Sequence, residues 1–435
     1  MLEHRKTTKW KLGAVLLAAG LLAACSSSSK SSSGTTNSTA STGGTSASST
    51  GSSTGGTTAT SAAQATGTPL KIGMICGCTG PLASSVFAAH PAVEAWASYV
   101  NDHGGINGHP VQIIFEDDKT MPAVSVAAAH TLIADHVLAI FDISNFDTQW
   151  GSYVAQNKVP IIPTNSTTIG TLSSADFFTP GETIDALAPS VTQAAAKVGA
   201  KKFALLYCAE SPDCTQLVTP IKQSASASGL QLGYTAQISF AAPNYTAACL
   251  GAQQAGAQAV FVGDAVSVLI HVASDCNRQG FKPVFIGDDG AVSPSFASSP
   301  GWSNGMLAAQ PNVPFDVKNT AATEAMYGAF AKYQPGFTSN PSFNELAVEG
   351  WAAGKLFEAA AQAGQLGVNG PPTTTELYNG FYSASLQGTT LDGLAPPLHF
   401  TQGKPNVNDC WFWQRTTNGQ FTEPYGLTPV CSSAA

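Results

Sequence analysis

The sequence predicts an α/β protein with two parallel-sheet units in tandem, and three observations support this fold class. Short apolar runs alternate with amphipathic stretches from residue 69 onward, the alternation restarts after residue 200, and turn-rich segments separate the two series. Strand–helix repeats of this kind are typical of parallel sheets that helices cover on both faces. About 370 residues are enough for two domains with full cores.

Each unit is built from four predicted strands. In the first unit the predicted strands are 70–75, 111–115, 137–141 and 159–162, with helices at 91–103, 123–135 and 149–157. Gly104 and Gly105 end the first of these helices, and Asn107 with Gly108 forms the turn into the second strand. In the second unit the predicted strands are 203–207, 230–240, 259–262 and 284–286, and further helices follow at 320–333, 343–363 and 374–385. The turn-rich segments 177–181, 310–314 and 394–398 suit crossings between the units.

The N-terminus has the features of an export signal. Four basic residues precede the apolar run 12–22, which is too short to span a bilayer as a permanent helix. The next residues, Leu22-Ala23-Ala24-Cys25, resemble the bacterial lipobox, and that resemblance implies cleavage before Cys25 and acylation of its thiol. The alternative is an ordinary secretory signal in which Cys25 is incidental.

Residues 26–68 are almost entirely Ser, Thr, Gly and Ala, with Lys30 as their only charge. A segment without large apolar side chains cannot bury a core, so the composition predicts a disordered tether between the anchor and the folded part. Removal of residues 1–24, which hold four basic groups and Glu3, would change the formal charge from −8 to −11. An acidic chain without a Lys/Arg cluster is not expected to bind nucleic acid, and we expect membrane contact through the lipid anchor only.

Eight cysteines remain after Cys25, and an even number in an exported protein favours disulfides. The spacing suggests three pairs: Cys208 with Cys214, Cys249 with Cys276, and Cys410 with Cys431. Cys76 and Cys78 are left, and their separation by one glycine would give a readily reduced bridge, with a redox or metal element as the alternative. The histidines show no metal-binding spacing, so the sequence predicts neither a metal site nor a cofactor.

Polar residues follow the predicted strands at the edge where parallel sheets bind ligands. They are residues 78–80, 117–118, 142–145 and 164–166 in the first unit, and 207–208, 264 and 288–289 in the second. Two such edges that face each other would form a cleft for a small molecule. We expect Asp117 and Asp118 to be structural, and the tryptophans at 150, 302, 411 and 413 to pack in the core.

The folded part of the chain, from residue 69 onward, resembles one protein family, and the resemblance is most specific in its opening stretch. The segments are Leu70-Lys-Ile-Gly-Met-Ile, Thr79-Gly-Pro-Leu-Ala83, Gly104-Gly-Ile-Asn-Gly108 with Glu116-Asp-Asp118, Val159-Pro-Ile-Ile-Pro-Thr164 and Ile286-Gly-Asp-Asp-Gly290. They are similar to the solute-binding proteins of branched-chain amino-acid ABC transporters over most of residues 69–415. The resemblance implies the type I periplasmic-binding-protein fold, with two lobes, three crossovers and a ligand between the lobes.

The resemblance also implies lobe boundaries and partners. Lobe 1 would comprise 69–182 and 310–393, and lobe 2 would comprise 183–309 and 394–435. The implied partners are a small ligand, an amino acid or a similar compound, and the permease subunits of an importer. We expect a monomer on the outer face of the cell membrane.

Carried over position by position, the resemblance implies a ligand-binding set. Asn145 would bind the carboxylate of an amino acid, Thr164 and Ser166 would hold both of its ends, and Asp289, with Asp288 beside it, would take the α-ammonium group. Asn145 is predicted to lie where a helix begins, so backbone N–H groups and the helix dipole can hold a carboxylate there. An acid on the opposite side can pair with the ammonium group.

Two positions depart from the family: Ser85 and Asp264 stand where tyrosines are common. They leave open another amino acid, an amide, or a small aromatic or carboxylic acid as the ligand.

An enzyme and a ligand sensor are the two alternatives to a solute-binding protein for transport. The folded part has no nucleophile elbow, no Walker A motif and no metal-binding helix motif, so we expect no enzyme. The other alternative is a lipoprotein of the same fold that senses a ligand without transporting it. The sequence does not separate the two, because one fold can serve transport and sensing alike.

Overall fold

Two α/β lobes make up the part of the chain that the computed structural model describes, which comprises residues 65–165, 168–210, 212–288 and 291–432. The predicted signal peptide, Cys25, the tether as far as residue 64, Ser166 and Asp289 lie outside these residues. Mixed α/β architecture with parallel sheets is the fold class that the sequence predicts, and the structure confirms it. No helix among the described residues is long and apolar enough to cross a membrane.

Lobe 1 is defined here by a four-stranded parallel sheet in the order β2-β1-β3-β4. Its strands are β1 (Leu70–Cys76), β2 (Val111–Asp117), β3 (Ala139–Ile143) and β4 (Ile161–Pro163). Its helices are α1 (Ala83–Val86), α2 (Ala89–Asp102), α3 (Pro122–Ala134), α4 (Asp147–Gln156), α5 (Gly170–Ser173), α11 (Ala321–Tyr333), α12 (Leu346–Ala363) and α13 (Thr374–Phe381). The predicted turn is present, because Asn107 and Gly108 both have positive φ between the bridged residues Ile106 and His109.

The lobe 1 sheet buries both faces, as a parallel sheet must. Ile72 and Met74 of β1 pack with Trp96 of α2 in one cluster, whereas Ile75 packs with Leu132 of α3 in another. Helices α2 and α12 approach closely because α12 carries glycine where they meet. A Cβ atom at Gly354 would overlap the indole ring of Trp96.

Lobe 2 is defined by a larger mixed sheet in the order β11-β10-β9-β8-β7-β5-β6, with β12 paired to β10. Its strands are β5 (Lys202–Cys208), β6 (Gln231–Ile238), β7 (Ala259–Gly263), β8 (Val284–Asp288), β9 (Leu307–Gln310), β10 (Cys410–Thr417), β11 (Gln420–Thr422) and β12 (Val430–Cys431). Its helices are α6 (Ile184–Lys197), α7 (Pro212–Gln216), α8 (Val218–Ala227), α9 (Thr246–Gln254) and α10 (Val266–Arg278). Leu205 of β5 packs towards α6 and α8, and the next residue, Leu206, packs towards α9 and α10.

Strands β9 to β12 were not predicted from the sequence. β9 is parallel to β8, whereas β10 runs antiparallel to β9 and returns from the end of the chain. Trp411 and Trp413 lie on β10 and are buried, as are Trp150 and Trp302, so their assignment to the core is confirmed. The pairing of β9 with β10 joins segments about a hundred residues apart, and no local pattern indicates such a contact.

The three predicted crossovers come together around Asn312. Its buried amide nitrogen donates to the carbonyl oxygens of Pro180 at 2.9 Å and Leu394 at 3.1 Å. One side chain in the second crossover therefore links the first and the third. This bond network fixes the paths by which the chain passes between the lobes.

Four disulfides join the pairs suggested from the sequence. They are Cys76 with Cys78, Cys208 with Cys214, Cys249 with Cys276, and Cys410 with Cys431. The third connects α9 to α10, and the fourth connects β10 to β12. The second closes the loop that follows β5, beside the cavity described next.

Candidate functional site

A cavity of about 210 Å³ lies between the two lobes. The loops that follow β3 and β4 line it from lobe 1, and those that follow β5, β7 and β8 line it from lobe 2. These are the carboxyl ends of parallel strands, where the sequence predicts a ligand cleft. Apolar side chains also line it, among them Leu82, Ile169, Leu187 and Phe261.

Ser85 lines the cavity and also connects the lobes. Its hydroxyl oxygen accepts a hydrogen bond at 3.2 Å from the backbone N–H of Val266, at the start of α10 in lobe 2. The amide nitrogen of Asn344 donates to the Ser85 carbonyl oxygen at 2.6 Å. Ser85 is therefore a contact between the two lobes as well as part of the cavity wall.

The lobe 1 wall carries neutral polar side chains and one buried acid. Asn145 is half-buried and lines the cavity just before α4. Asp147, in the first turn of α4, is 1% exposed, and its carboxylate accepts hydrogen bonds from the Thr168 hydroxyl and from the backbone N–H of Gly170 at 2.9 Å. The positive end of the α4 dipole thus already has a carboxylate of the protein beside it.

The lobe 2 wall is acidic. Glu210 follows β5, Asp264 follows β7 and Asp288 ends β8, and all three line the cavity. Burial raises the pKa of Asp264 to about 7, and the charge of Glu210 adds to the rise. One Asp264 oxygen accepts from the Ala265 N–H at 2.7 Å, and the other is buried without a hydrogen-bond partner among the described residues.

Asp142 is a further buried acid, and it lies in β3. One of its oxygens accepts from the Ser144 N–H at 2.8 Å, and burial, reinforced by the nearby Asp147 and Asp118 charges, raises its pKa well above the ordinary value. Asp118 accepts from the Ser144 hydroxyl and from the Thr120 N–H. Asp118 therefore holds two loops together, which is the structural role expected for it.

The structure places the predicted site residues in two groups. Ser85, Asn145, Asp264 and Asp288 line the cavity, two of them from each lobe. Thr164 is not among the lining residues: it is fully buried, and its hydroxyl donates to the carbonyl oxygen of Asp142 at 3.1 Å. Ser166 and Asp289 lie outside the described residues.

Three further residues line the cavity that were not predicted from the sequence: Asp147, Thr168 and Glu210. Asp147 and Thr168 come only a few residues beyond strand ends that the apolar pattern does indicate. Glu210 lies between Cys208 and Cys214, so the suggested disulfide was the signal that this loop is short and fixed next to a strand end.

The comparisons with known proteins agree with this geometry. Residues 69–420 match the sequence model of a family described as periplasmic binding protein. No curated protein gives a significant match to the chain.

Three solved structures show the same fold at low identity. A branched-chain amino acid ABC transporter protein from Thermus thermophilus with bound valine has a TM-score of 0.74 and 17% identity, over 84% of this chain and 97% of that chain. A fatty acid ABC transporter substrate-binding protein from Thermomonospora curvata has a TM-score of 0.69 and 20% identity, over 84% and 95%. A solute-binding protein from R. palustris in complex with benzoate has a TM-score of 0.68 and 16% identity, over 84% and 98%.

The family model covers most of the chain, and the two lobes enclose a cavity at the carboxyl ends of their strands. The chain therefore belongs to the periplasmic binding protein family, whose members bind substrates in extracytoplasmic compartments, and it has the type I fold.

Proposed function

We propose that this chain is a lipid-anchored solute-binding protein that captures an amino acid or a related small molecule between its lobes and delivers it to an ABC importer. We assign residues 69–182 and 310–393 to lobe 1, and residues 183–309 and 394–435 to lobe 2. The proposed site of lipid attachment is Cys25. Sensing without transport is the alternative use of the same binding step.

The cavity between the lobes is the observation that carries the proposal. It presents neutral polar groups such as Asn145 from lobe 1 and carboxylates such as Asp288 from lobe 2. An amino acid carries a carboxylate and an ammonium group a few ångströms apart, so it needs donors on one side and an acid on the other. Asp288, with its neighbour Asp289, is the proposed partner of the ammonium group.

The solved structures of similar fold widen the set of ligands to test. One of these proteins has bound valine, one is in complex with benzoate and one is described as a fatty acid transporter protein, so their ligands differ in charge and size. The cavity of this chain favours an amino acid over a simple anion, because a bare carboxylate would lie opposite several acids without a cation to balance it.

A thermal-shift panel of amino acids, amides and small organic acids tests the proposal, since a ligand that binds only the folded state raises Tm by mass action. The best hit is then titrated calorimetrically against Asn145→Ala. We expect roughly tenfold or greater loss of affinity for a carboxylate ligand, because a charge-assisted hydrogen bond is removed.

Asn157→Ala is the matched control, because Asn157 is an exposed asparagine at the opposite end of the same helix, with its amide bonded to the Tyr153 carbonyl. Equal affinity in the wild type and Asn145→Ala, for a ligand that binds, would place the ligand elsewhere and contradict the proposal.

A further inference from the structure

Carboxyl groups outnumber basic groups in the described lining of the cavity. Four carboxyl groups line it, from Asp147, Glu210, Asp264 and Asp288, and none of the lining residues that the structure describes is Lys, Arg or His. Positions 166–167, 211 and 289–290, which the structure does not describe, hold no Lys, Arg or His. A zwitterion brings a single ammonium group, so one that pairs with Asp288 leaves Asp264 and Glu210 without a cation from the ligand.

Asp264 and Glu210 line the same wall, from the loops that follow β7 and β5, and the charge of Glu210 contributes to the raised pKa of Asp264. The buried Asp264 oxygen has no hydrogen-bond partner among the described residues. A buried carboxylate oxygen without a partner is costly unless a cation or donor reaches it, and the cavity is the space from which a ligand can do so.

Glu210 is held in place before any ligand arrives. Its two carboxylate oxygens accept hydrogen bonds from the backbone N–H groups of Ala209 and Phe240, both at 3.0 Å. The disulfide between Cys208 and Cys214 closes the loop that carries it. Because the charge is already fixed in position, a cation that binds here loses little free energy to reorganisation of the loop.

We propose that Asp264 and Glu210 form a second cation-binding subsite, separate from the α-ammonium site, and that the ligand is a small basic amino acid. The ligand's α-ammonium group lies against Asp288, its aliphatic stem packs on apolar wall residues such as Leu187 and Leu217, and its terminal cation lies between Asp264 and Glu210. This inference rests on the proposed function, because it assigns a ligand class to the same cleft.

Calorimetric titration of the full chain with L-lysine, L-arginine, L-leucine, L-glutamate and benzoate tests the assignment. We expect a basic amino acid to bind at least tenfold more tightly than leucine, and the two anions to bind most weakly. Asp264→Asn and Glu210→Gln keep side-chain shape and remove charge. Each should weaken the basic ligand by roughly 30-fold or more while changing the affinity for leucine little.

Asp102→Asn is the matched control, because Asp102 lies at the end of α2 and outside the cavity. Tm of every variant is measured in parallel to show that it is folded. The carboxyl-to-amide changes keep the shape of the side chain, so loss of fold is not the expected outcome.

A pH profile gives a second readout. Glu210 and Tyr245, from the loop after β5 and the start of α9, interact electrostatically with Asp264, and Asp288 lines the same cavity from β8. Below the Asp264 pKa of about 7, a cation must displace its proton. The affinity for lysine should therefore fall by up to about tenfold per pH unit below pH 7 and should be constant above it. Asp264→Asn should remove this pH dependence.

Three outcomes overturn the inference, and the first two separate it from the proposed function. If leucine or benzoate binds more tightly than the basic amino acids and Asn145→Ala weakens that binding, the cleft function stands and the second cation subsite falls. If a basic amino acid binds equally well to wild type and Asp264→Asn, the subsite falls as well. If no compound in the panel binds, both proposals fail.

Discussion

At the scale of single residues, the ionised form of Asp264 destabilises the ligand-free protein at high pH. Its pKa is raised from 3.8 to about 7 in the folded state, mainly by burial. The folded state therefore holds the proton more tightly than the unfolded state between these two values. Stability falls as pH rises through this window, and the cost is fully present above pH 7.

Asp264→Asn should remove this cost. We expect the free energy of unfolding of the ligand-free variant to match that of the wild type near pH 4 and to exceed it by about 2 to 4 kcal/mol at pH 8. Urea unfolding at a series of pH values measures this difference. A difference that does not change with pH would show that Asp264 ionises normally in the folded protein.

Asp102 provides a control of opposite sign. Hydrogen bonds from Lys332 and Tyr333 lower the pKa of this exposed carboxyl group, so its contribution to stability is present above pH 4 and is lost as pH falls. Asp102→Asn should therefore be slightly less stable than the wild type at pH 7 and equal to it in acid.

At the scale of elements, the disulfides fix segments that the sheets alone leave free. Cys249 and Cys276 join two neighbouring helices on one face of the lobe 2 sheet, with a sequence separation of 27. Cys208 and Cys214 close a much shorter loop that lines the cavity. The first bond should therefore matter more for stability and the second more for binding, because loop-closure entropy grows with loop length.

Removal of each bond by paired Cys→Ser substitution separates these roles. Loss of the Cys249 and Cys276 pair should lower the free energy of unfolding by about 3 to 4 kcal/mol, and loss of the Cys208 and Cys214 pair by about 2 kcal/mol. Only the second change should weaken ligand binding in calorimetric titration, because it releases Glu210. Peptide mapping of unreduced, exported protein should recover both linkages. Alkylatable thiols at these positions in native protein would contradict the assignment.

At the scale of the whole molecule, the two lobes together make the site. Neither lobe alone brings Asn145 and Asp264 to one cavity, and the crossovers joined by Asn312 connect the two lobes. The proposed anchor would act on the same scale, because it would keep the binding protein close to a membrane transporter and raise the local concentration of one for the other.

Cys25→Ala tests the anchor. We expect the variant to move from the membrane fraction to the soluble fraction or to remain uncleaved, because a lipobox without its thiol cannot be acylated. Cell fractionation and the mass of the mature N-terminus measure both effects, and Ser26→Ala is the control at the neighbouring position. Normal cleavage with unchanged membrane retention would contradict the proposed anchor.

The sequence by itself determined the local elements and their order. Alternating apolar runs such as Leu70–Cys76 form strands because both faces of a parallel strand must be buried, and the Asn107-Gly108 turn forms because both residues tolerate positive φ. Three residues of the proposed site, Asn145, Asp264 and Asp288, were also predictable, because they lie at or just after strand ends whose positions the apolar pattern reveals. Ser85 was indicated only by the resemblance to a known family.

Only the tertiary structure decided which polar residues meet. Glu210 and Asp264 line one cavity, Ser85 accepts a hydrogen bond from Val266 in the other lobe, and Thr164 is buried outside the cavity lining. The pairing of β9 with β10 is also a contact that the local sequence does not indicate. These contacts join residues far apart in the chain, and their free energies depend on burial and on neighbouring charge, which exist only once the lobes have packed.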